Sequence, residues 1–356
     1  MTEAAIAATY ADARRRFLAA AEQAQASMTS VVHPLTGPEG EDLAIDVAEL
    51  GSIDAPALLF IVSGTHGVEG FAGSALQTRW LQRAASGLPP SVRVVHVHAL
   101  NPYGFAWTRR VNEDNVDLNR NFVDWANPPA GSEGYDRLAD VLVPLLWDEA
   151  TQSESLTFLL SELQRVGLEE LQATISSGQY RHAGGVFYGG TGPVWSQRQL
   201  RALASAHACG AERVAIVDLH TGLGPWGHGE LIAHESRIDP AYLRAQKWWG
   251  DVHSMVDGES VSVLLTGDWL GSTAQLFPGA EITAAALEFG TVDPVTVLQA
   301  LRANAWLHHH GDAKGPQGDG IRAQVRAAFI DDDPAWFSAI ATRFDAVIDA
   351  AAANLG

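Results

Sequence analysis

Short apolar runs alternate with longer segments of helical periodicity along most of this chain, and that alternation limits its fold more than any other feature. It is typical of a mostly parallel sheet whose strands are joined by helices. The predicted strands are Asp42–Glu49, Ala57–Ser63, Val92–Ala99, Ala211–Leu219, Gly229–His234, Ser260–Leu265 and Ile282–Phe289. The predicted helices are Phe71–Ala85, Tyr135–Asp148, Thr157–Ser176, Ser196–Ala208, Pro240–Val256, Pro294–His310, Asp319–Phe329 and Pro334–Ala352. We therefore expect an α/β fold with a mixed, mostly parallel central sheet and helices on both faces.

The chain of 356 residues is expected to form one domain, residues 1–356. Apolar residues make up 47% of it, which is ample for the core of a single large sheet. Residues near 124–196 add Pro- and Gly-rich loops and further helical patterns, and these predict a helical insertion that would narrow a site at the rim of the sheet. The last two predicted helices are expected to form a helical C-terminal layer.

Charge and composition exclude several classes of function. The formal net charge of −19, from 42 acidic and 23 basic residues, would repel the phosphates of nucleic acids and of anionic membranes. No apolar stretch is long enough to span a bilayer, and the first 25 residues contain no signal-peptide core. The single cysteine, Cys209, cannot form an internal disulfide. We therefore expect a cytoplasmic protein with no nucleic-acid or membrane partner.

Two short motifs bring metal-binding residue types to predicted strand ends. The first is GTHGVEG at residues 64–70, and the second is VDLHTG at residues 217–222. Together they offer the imidazoles of His66 and His220 and the carboxylate of Glu69, a ligand set of catalytic zinc with a fourth position left for water. Glu288 also lies at the C-terminal end of a predicted strand, and the carboxyl ends of strands are where open α/β sheets gather catalytic groups.

A third motif, NPYGFAWTRRVNEDNVDLNRNF at residues 101–122, follows a buried strand yet contains three arginines and several asparagines. An arginine fork held in an ordered loop suits a carboxylate on a substrate. Asp117 is well placed to accept a hydrogen bond from the far nitrogen of a ligating histidine.

The order of these motifs resembles the zinc carboxypeptidase (M14-type) metallopeptidase superfamily. The shared pattern is His-x-x-Glu, then Asp-x-Asn-Arg-Asn, then a histidine after a strand and a glutamate after a strand. The chain looks closest to the bacterial branch known as domain of unknown function 2817, and it is also similar to the aspartoacylase and succinylglutamate desuccinylase branch. The resemblance covers roughly Ile45 to His310.

The resemblance implies a role for each matching residue at the metal. His66, Glu69 and His220 match the ligands of one Zn²⁺ ion. Glu288 matches the catalytic glutamate, which would act as general base and then as general acid.

The resemblance also implies residues that hold the substrate. Asn119 and Arg120 match the pair that binds a substrate carboxylate, and Arg110 is the preferred match for the arginine that polarises the scissile carbonyl. Arg109 remains an alternative, and either arginine could instead pair with acidic residues of its own loop. Tyr188, in a glycine-flanked loop, is a candidate to close over the substrate.

The predicted reaction is hydrolysis of an amide bond next to a free carboxylate, in a short peptide or an amino-acid conjugate, by metal-activated water. An N-acyl-amino-acid deacylase is the alternative, because it would share every catalytic residue. A non-catalytic binding protein would be expected to lack Glu288 or a metal ligand, and the sequence keeps them all. The expected partner is the small substrate, and the sequence leaves open whether the chain forms a homo-oligomer.

Overall fold

The computed structural model describes residues 5–83, 88–208 and 210–356, and a mixed sheet lies at its centre. The described strands are β1 (Ser27–Thr36), β2 (Asp42–Leu50), β3 (Ala57–Val62), β4 (Val92–His98), β5 (Arg213–Trp226), β6 (Gly229–Ala233), β7 (Val252–Ser254) and β8 (Glu281–Gly290). Their order across the sheet is β1-β2-β4-β3-β5-β8-β6-β7. The central strands β4, β3, β5 and β8 run parallel, while β1, β2 and β6 join by antiparallel pairs. The predicted α/β fold with a mostly parallel sheet is confirmed.

Helices cover both faces of this sheet. They are α1 (Tyr10–Gln23), α2 (Gly70–Arg83), α3 (Pro102–Ala106), α4 (Glu133–Leu142), α5 (Glu149–Val166), α6 (Leu168–Ser176), α7 (Trp195–Ala208), α8 (Pro240–Trp249), α9 (Thr273–Leu276), α10 (Pro294–His309), α11 (Pro316–Phe329) and α12 (Pro334–Leu355). Strand β3 is buried along its whole length, and its side chains alternate between two apolar cores. Leu59 and Ile61 pack on the face that carries α1, α2 and α12, whereas Leu58 and Phe60 pack on the face that carries α7 and α9.

Two predictions near the edge of the sheet were wrong. Residues 260–265 form irregular structure rather than a strand. The predicted helix Pro240–Val256 ends at Trp249, because Gly250 adopts a φ of +82° that a continuing helix cannot accommodate. The residues that follow then pair in parallel with β6 as the edge strand β7.

Other boundaries also moved. The predicted helix Thr157–Ser176 is two helices, since Gly167 with a φ of +87° separates α5 from α6. The predicted helix Tyr135–Asp148 ends six residues early, at the end of α4. Strand β1 was not predicted, because it is largely exposed and has no apolar alternation. The predicted end of the helix Phe71–Ala85 and the position of Cys209 lie outside the described residues.

The helical segment after residue 124 is fixed to α10. Arg302 of α10 donates hydrogen bonds to the carbonyl oxygens of Val141 and Leu142 at the end of α4, at 2.7 and 2.9 Å. The indole nitrogen of Trp306 donates to the carbonyl oxygen of Leu145 at 3.2 Å. The guanidinium group of Arg302 thus satisfies carbonyls that the end of α4 leaves free, and Trp306 bonds the chain that follows. In the described part of the chain, no helix combines the length and apolar character needed to span a membrane.

Candidate metal centre and adjoining cavity

The turn that follows β3 places His66 and Glu69 side by side. Gly64, with a φ of +64°, turns the chain out of the strand, and a 3₁₀ turn over Gly67–Glu69 leads into α2. A Cβ atom at Gly67 would lie 2.0 Å from the backbone carbon of Gly104, so only glycine permits this close approach to α3. On this turn His66 Nδ1 lies 2.9 Å from Glu69 Oε1.

The sheet supplies the other two residues. His220 on β5 and Glu288 on β8 are directly paired in the parallel register. His220 Nδ1 lies 2.8 Å from Glu69 Oε2 and 3.1 Å from His66 Nδ1. The ligand atoms of His66, Glu69 and His220 all lie within 4.8 Å of one another, and the three side chains are buried.

Two aspartates orient the imidazoles from behind. Asp117 Oδ1 lies 3.2 Å from His66 Nε2, as predicted, and Asp218 Oδ2 lies 2.7 Å from His220 Nε2. With a metal ion bound, each aspartate would accept the Nε2–H hydrogen and leave the Nδ1 nitrogen of each ring free to coordinate the ion. Asp218 is itself held by Thr65 Oγ1 and by the indole nitrogen of Trp269, both at 2.7 Å. Asp218 was missed in the sequence, although its position two residues before His220 in a strand was a usable signal.

The electrostatics of this centre favour a cation. Two acceptor nitrogens 3.1 Å apart repel each other unless a positive charge lies between them or one of them gains a proton. Burial opposes ionisation of Glu69, but His66 and His220 outweigh it and lower the carboxyl pKa to about 2. Burial likewise opposes a charged His220, yet Asp218 and Glu69 raise its pKa well above 6.5. Two nitrogen ligands and one carboxylate, all buried and held from behind, fit Zn²⁺.

Arg110 joins this centre and Arg109 does not. Arg110 donates from Nε to Asp117 Oδ2 at 2.9 Å and from Nη1 to Glu69 Oε1 at 3.2 Å, and it lines the adjoining cavity. Arg109 points away from the cavity, where it donates to Asn112 O at 3.1 Å and to Asn115 Oδ1 at 2.8 Å. The geometry therefore selects Arg110 as the arginine near the candidate metal ligands and gives Arg109 a structural position.

Asn119 and Arg120 lie on the cavity wall next to Arg110. Arg120 donates from Nη1 to Asn119 O at 2.9 Å and from Nε to Ser176 O at 3.1 Å, which fixes the direction of its guanidinium group. The side-chain oxygen of Asn119 is buried and has no hydrogen-bond partner among the described residues. This unpaired oxygen, beside a fixed arginine, can accept a hydrogen bond from an N–H or O–H group of a ligand.

Glu288 faces the cavity from the sheet. Its Oε1 accepts a hydrogen bond from the backbone N–H of Leu223 at 3.0 Å. Burial and the negative charge of Glu69 raise its pKa to about 7, against the opposing charges of His220 and Arg110. A carboxylate with this pKa can exchange a proton near neutral pH.

Phe187, rather than its neighbour Tyr188, borders the cavity. The guanidinium carbons of Arg110 and Arg120 lie 5.6 and 5.4 Å from the centre of the Phe187 ring. Tyr188 packs in the core on the opposite face of the sheet, and its carbonyl oxygen accepts from the backbone N–H of Asp117 at 2.8 Å. The aromatic ring predicted at the site therefore comes from the preceding residue, which backbone geometry turns inward with a φ of +56°.

The cavity itself has a volume of about 300 Å³. Its polar end holds His66, His220, Glu288 and the two arginines at positions 110 and 120. The remaining wall is largely aliphatic, and α5, α6, α10 and the irregular segment 260–265 supply much of it. One polar end and an apolar body are the usual composition of a small-molecule site.

Comparison with known proteins gives a family and a fold. A sequence model of the family described as "Protein of unknown function (DUF2817)" matches residues 6–343. The fold is similar to the structure of bovine thrombin-activatable fibrinolysis inhibitor in complex with tick carboxypeptidase inhibitor, with 10% identity, coverage of 98% of this chain and 96% of that chain, and a TM-score of 0.51.

Two further solved structures show weaker similarity. Carboxypeptidase A from Helicoverpa armigera has 14% identity, covers 91% of this chain and 74% of that chain, and gives a TM-score of 0.48. An aspartoacylase family protein from Mesorhizobium loti has 16% identity, covers 80% of this chain and 66% of that chain, and gives a TM-score of 0.40. No curated protein sequence matches this chain.

Proposed function

The chain belongs to the DUF2817 protein family, and on that premise we propose that it is a zinc-dependent hydrolase that cleaves an amide bond next to a free carboxylate in a short peptide or amino-acid conjugate. The observation that carries this proposal is the convergence of His66, Glu69 and His220 beside Glu288, which faces His220 across the strand pair. A buried three-ligand set next to an ionisable carboxylate and a cavity is the arrangement that metal-assisted hydrolysis needs.

The chemistry divides between the metal and the protein. When bound, zinc would supply Lewis-acid chemistry, polarising a carbonyl group and making water more acidic. Glu288 would accept the proton of the attacking water at its carboxylate and return it to the departing amine nitrogen. Its pKa of about 7 suits both transfers, because the protonated and the ionised forms of the carboxyl group are both populated at neutral pH.

Arg110 would stabilise negative charge as it develops on the substrate carbonyl oxygen. Its hydrogen bonds to Asp117 and Glu69 fix the plane of the guanidinium group and use two of its five N–H donors. The remaining donors are available to the substrate. Removal of one such donor typically lowers kcat by about 10²- to 10³-fold.

Arg120 and Asn119 would orient the substrate by its carboxylate. Arg120 is held by backbone carbonyl oxygens and adds a positive charge to the cavity wall, and the side-chain NH₂ group of Asn119 would donate a further hydrogen bond to the carboxylate. Holding one end of a substrate allows a single amide bond to reach the catalytic groups. An N-acyl-amino-acid deacylase is the second candidate, and the aliphatic cavity wall favours it over a peptidase.

The test uses mass spectrometry on a mixed pool of short peptides and N-acyl amino acids incubated with the zinc-loaded protein. Glu288→Gln serves as the matched blank, because it changes the proton-transfer group and keeps the size of the side chain. Loss of single C-terminal residues from peptides would identify a peptidase, and release of amino acids from acyl conjugates alone would identify a deacylase. Equal product from the wild type and Glu288→Gln would overturn the proposed mechanism.

A further inference from the structure

Helix α5 buries little of its surface against the rest of the protein. Only Ser155 and Leu159 are buried among its 18 residues. Leu156 and Leu160 are 42% and 49% exposed, and Leu168 at the start of α6 is 68% exposed. Grouped exposed leucines mark a surface that a ligand or partner covers.

These exposed leucines line the cavity that contains the metal ligands. Leu156, Leu160 and Leu168 border it together with the more buried Leu159 and Leu163. Across from them, α10 contributes Val295, Val297, Leu298 and Leu301. These leucines and valines thus belong to the same cavity as His66, His220 and Glu288, and we call this part of its wall the aliphatic passage.

The chemistry of this wall suits a hydrocarbon better than a peptide. The backbone N–H and C=O groups of α5 are used within the helix, and leucine side chains offer no hydrogen bonds. The hydroxyl groups of Ser176 and Ser262 on the lining donate to backbone carbonyl oxygens, and Gln299 accepts from Arg302. Along the leucines and valines a peptide would leave its own amide groups unpaired, whereas an alkyl chain has none to satisfy.

We propose that the aliphatic passage holds the acyl chain of an N-acyl amino acid whose acyl group is a medium or long alkyl chain, an inference that rests on the proposed hydrolase function. The amino-acid carboxylate lies toward Arg120 and Asn119, the amide lies beside Glu288, and the alkyl chain runs along the leucines of α5 and α6. Water adds its oxygen to the acyl carbon, the C–N bond breaks, and the amine nitrogen gains a proton. The products are a fatty acid and a free amino acid.

The test measures hydrolysis of acetyl, butanoyl, octanoyl and dodecanoyl conjugates of one amino acid, kept below the concentration at which they form micelles. The amino acid is the one released fastest from the mixed pool, or glycine when none is preferred. We expect kcat/KM to rise about four-fold for each methylene that the cavity buries. Binding of the same compounds to zinc-loaded Glu288→Gln, measured by titration calorimetry, gives a readout that needs no turnover and should follow the same order.

Two double variants of exposed leucines provide a matched comparison. Leu160→Gln with Leu168→Gln changes leucines on the cavity wall, and Leu145→Gln with Leu146→Gln changes leucines of similar exposure that do not border the cavity. The ratio of dodecanoyl to acetyl kcat/KM should fall at least about ten-fold in the first variant, because two buried methylene contacts would be worth roughly that much. The control should keep the wild-type ratio.

The outcomes separate this inference from the hydrolase proposal. Hydrolysis of acetyl conjugates as fast as dodecanoyl conjugates, or a preference for peptides, would overturn the alkyl-chain assignment and leave the hydrolase standing. Tighter binding of the dodecanoyl compound without hydrolysis of any conjugate or peptide would support the alkyl-chain assignment and overturn the proposed reaction. Chain-length-independent binding to Glu288→Gln would overturn the assignment on its own.

Discussion

At the scale of single residues, the direction of two histidine rings governs the candidate site. Asp117 and Asp218 accept from the Nε2 atoms of His66 and His220, so both Nδ1 atoms turn toward Glu69. A ring that lost its aspartate could rotate or carry its proton on the wrong nitrogen. We therefore expect the aspartates to strengthen metal binding without contacting the ion.

Replacing Asp218 by Asn is expected to weaken zinc binding about 10- to 100-fold, because an amide no longer fixes the tautomer of His220 as a carboxylate does. Competition with a chromogenic chelator measures the affinity. Asp46→Asn is the matched control, since Asp46 is equally buried but pairs with Arg14 away from the metal ligands. An unchanged affinity in Asp218→Asn, or an equal loss in both variants, would contradict the orienting role.

The raised pKa of Glu288 predicts an acidic limb in the pH profile. Burial and the charge of Glu69 raise the pKa to about 7, and a general base works only when it is unprotonated. Activity should therefore fall as the pH falls through the midpoint, by about ten-fold per pH unit below it. A bound cation stabilises the carboxylate, so the midpoint is expected at or below about pH 7. Values of kcat/KM that increase as the pH is lowered from 7 to 5 would be inconsistent with this role.

Sequence reasoning succeeded where the local pattern determined the geometry. His66 and Glu69 share one glycine-flanked turn, and His220 lies in a buried apolar strand. The three residues could therefore be grouped without coordinates. Arg109 and Arg110 could not be distinguished, because neighbouring residues of an irregular loop have no periodicity that predicts their directions. Phe187 was missed because an apolar side chain in a loop carries no chemical signal until its contact with the arginines is seen.

At the scale of elements, the buried apolar strands at the centre of the sheet were predictable, and the strands at its two edges were not. Buried parallel strands such as β3 are continuous apolar runs, which a sequence displays directly. Strand β1 lies at the edge and is mostly exposed, so hydrogen bonding to β2, rather than its own composition, defines it. Strand β7 has three residues, and its pairing with β6 depends on where Gly250 ends the preceding helix.

Strand β4 gives the fold a sensitivity to acid. His96 and His98 are fully buried within it, and burial lowers their pKa values to about 3 and about 4. Between these values and 6.5 the unfolded chain binds protons that the folded protein does not, so the free energy of unfolding decreases as the pH falls. Each histidine should cost about 2 kcal/mol at pH 5 relative to neutral pH.

Urea unfolding of the wild type and of His96→Leu at several pH values tests this sensitivity. Between pH 5 and 6 the free energy of unfolding of the variant should depend less steeply on pH than that of the wild type. The difference in slope should be about 1.4 kcal/mol per pH unit, which corresponds to one proton. Leucine keeps an apolar contact with Trp80, whose ring centre lies 4.8 Å from that of His96. Identical slopes in the two proteins would show that His96 becomes protonated in the folded state.

At the scale of the whole molecule, alternating periodicity was enough to predict the sheet and its two helical layers. It could not place residues 124–196 relative to the site, because that placement depends on contacts between distant segments, such as those of Arg302 with the end of α4. The cavity was beyond prediction for the same reason. Its walls come from many separate stretches of sequence, from His66 to Phe329, which meet only in the folded chain.

Metal binding should stabilise the folded chain, because its ligands lie about 150 residues apart in sequence and meet only after folding. Saturation at 100 times the Kd is expected to add about 2.7 kcal/mol to the free energy of unfolding. Thermal melts of the chelated and zinc-loaded protein measure the difference. His66→Ala and His220→Ala should each lose both stoichiometric zinc and the zinc-dependent rise in Tm; a rise retained by both variants would place the metal elsewhere.

The pairing of His220 with Glu288 has a further consequence for how such a protein can diverge. Their separation is set by the hydrogen-bond ladder between β5 and β8, whereas the leucines beside them belong to one contiguous segment, residues 149–176. Inherited changes in that segment can therefore alter which molecules enter while the reacting groups keep their spacing. Relatives that share the sheet can therefore differ in substrate preference. Exchange of the gene segment that encodes residues 149–176 would transfer that preference from one lineage to another.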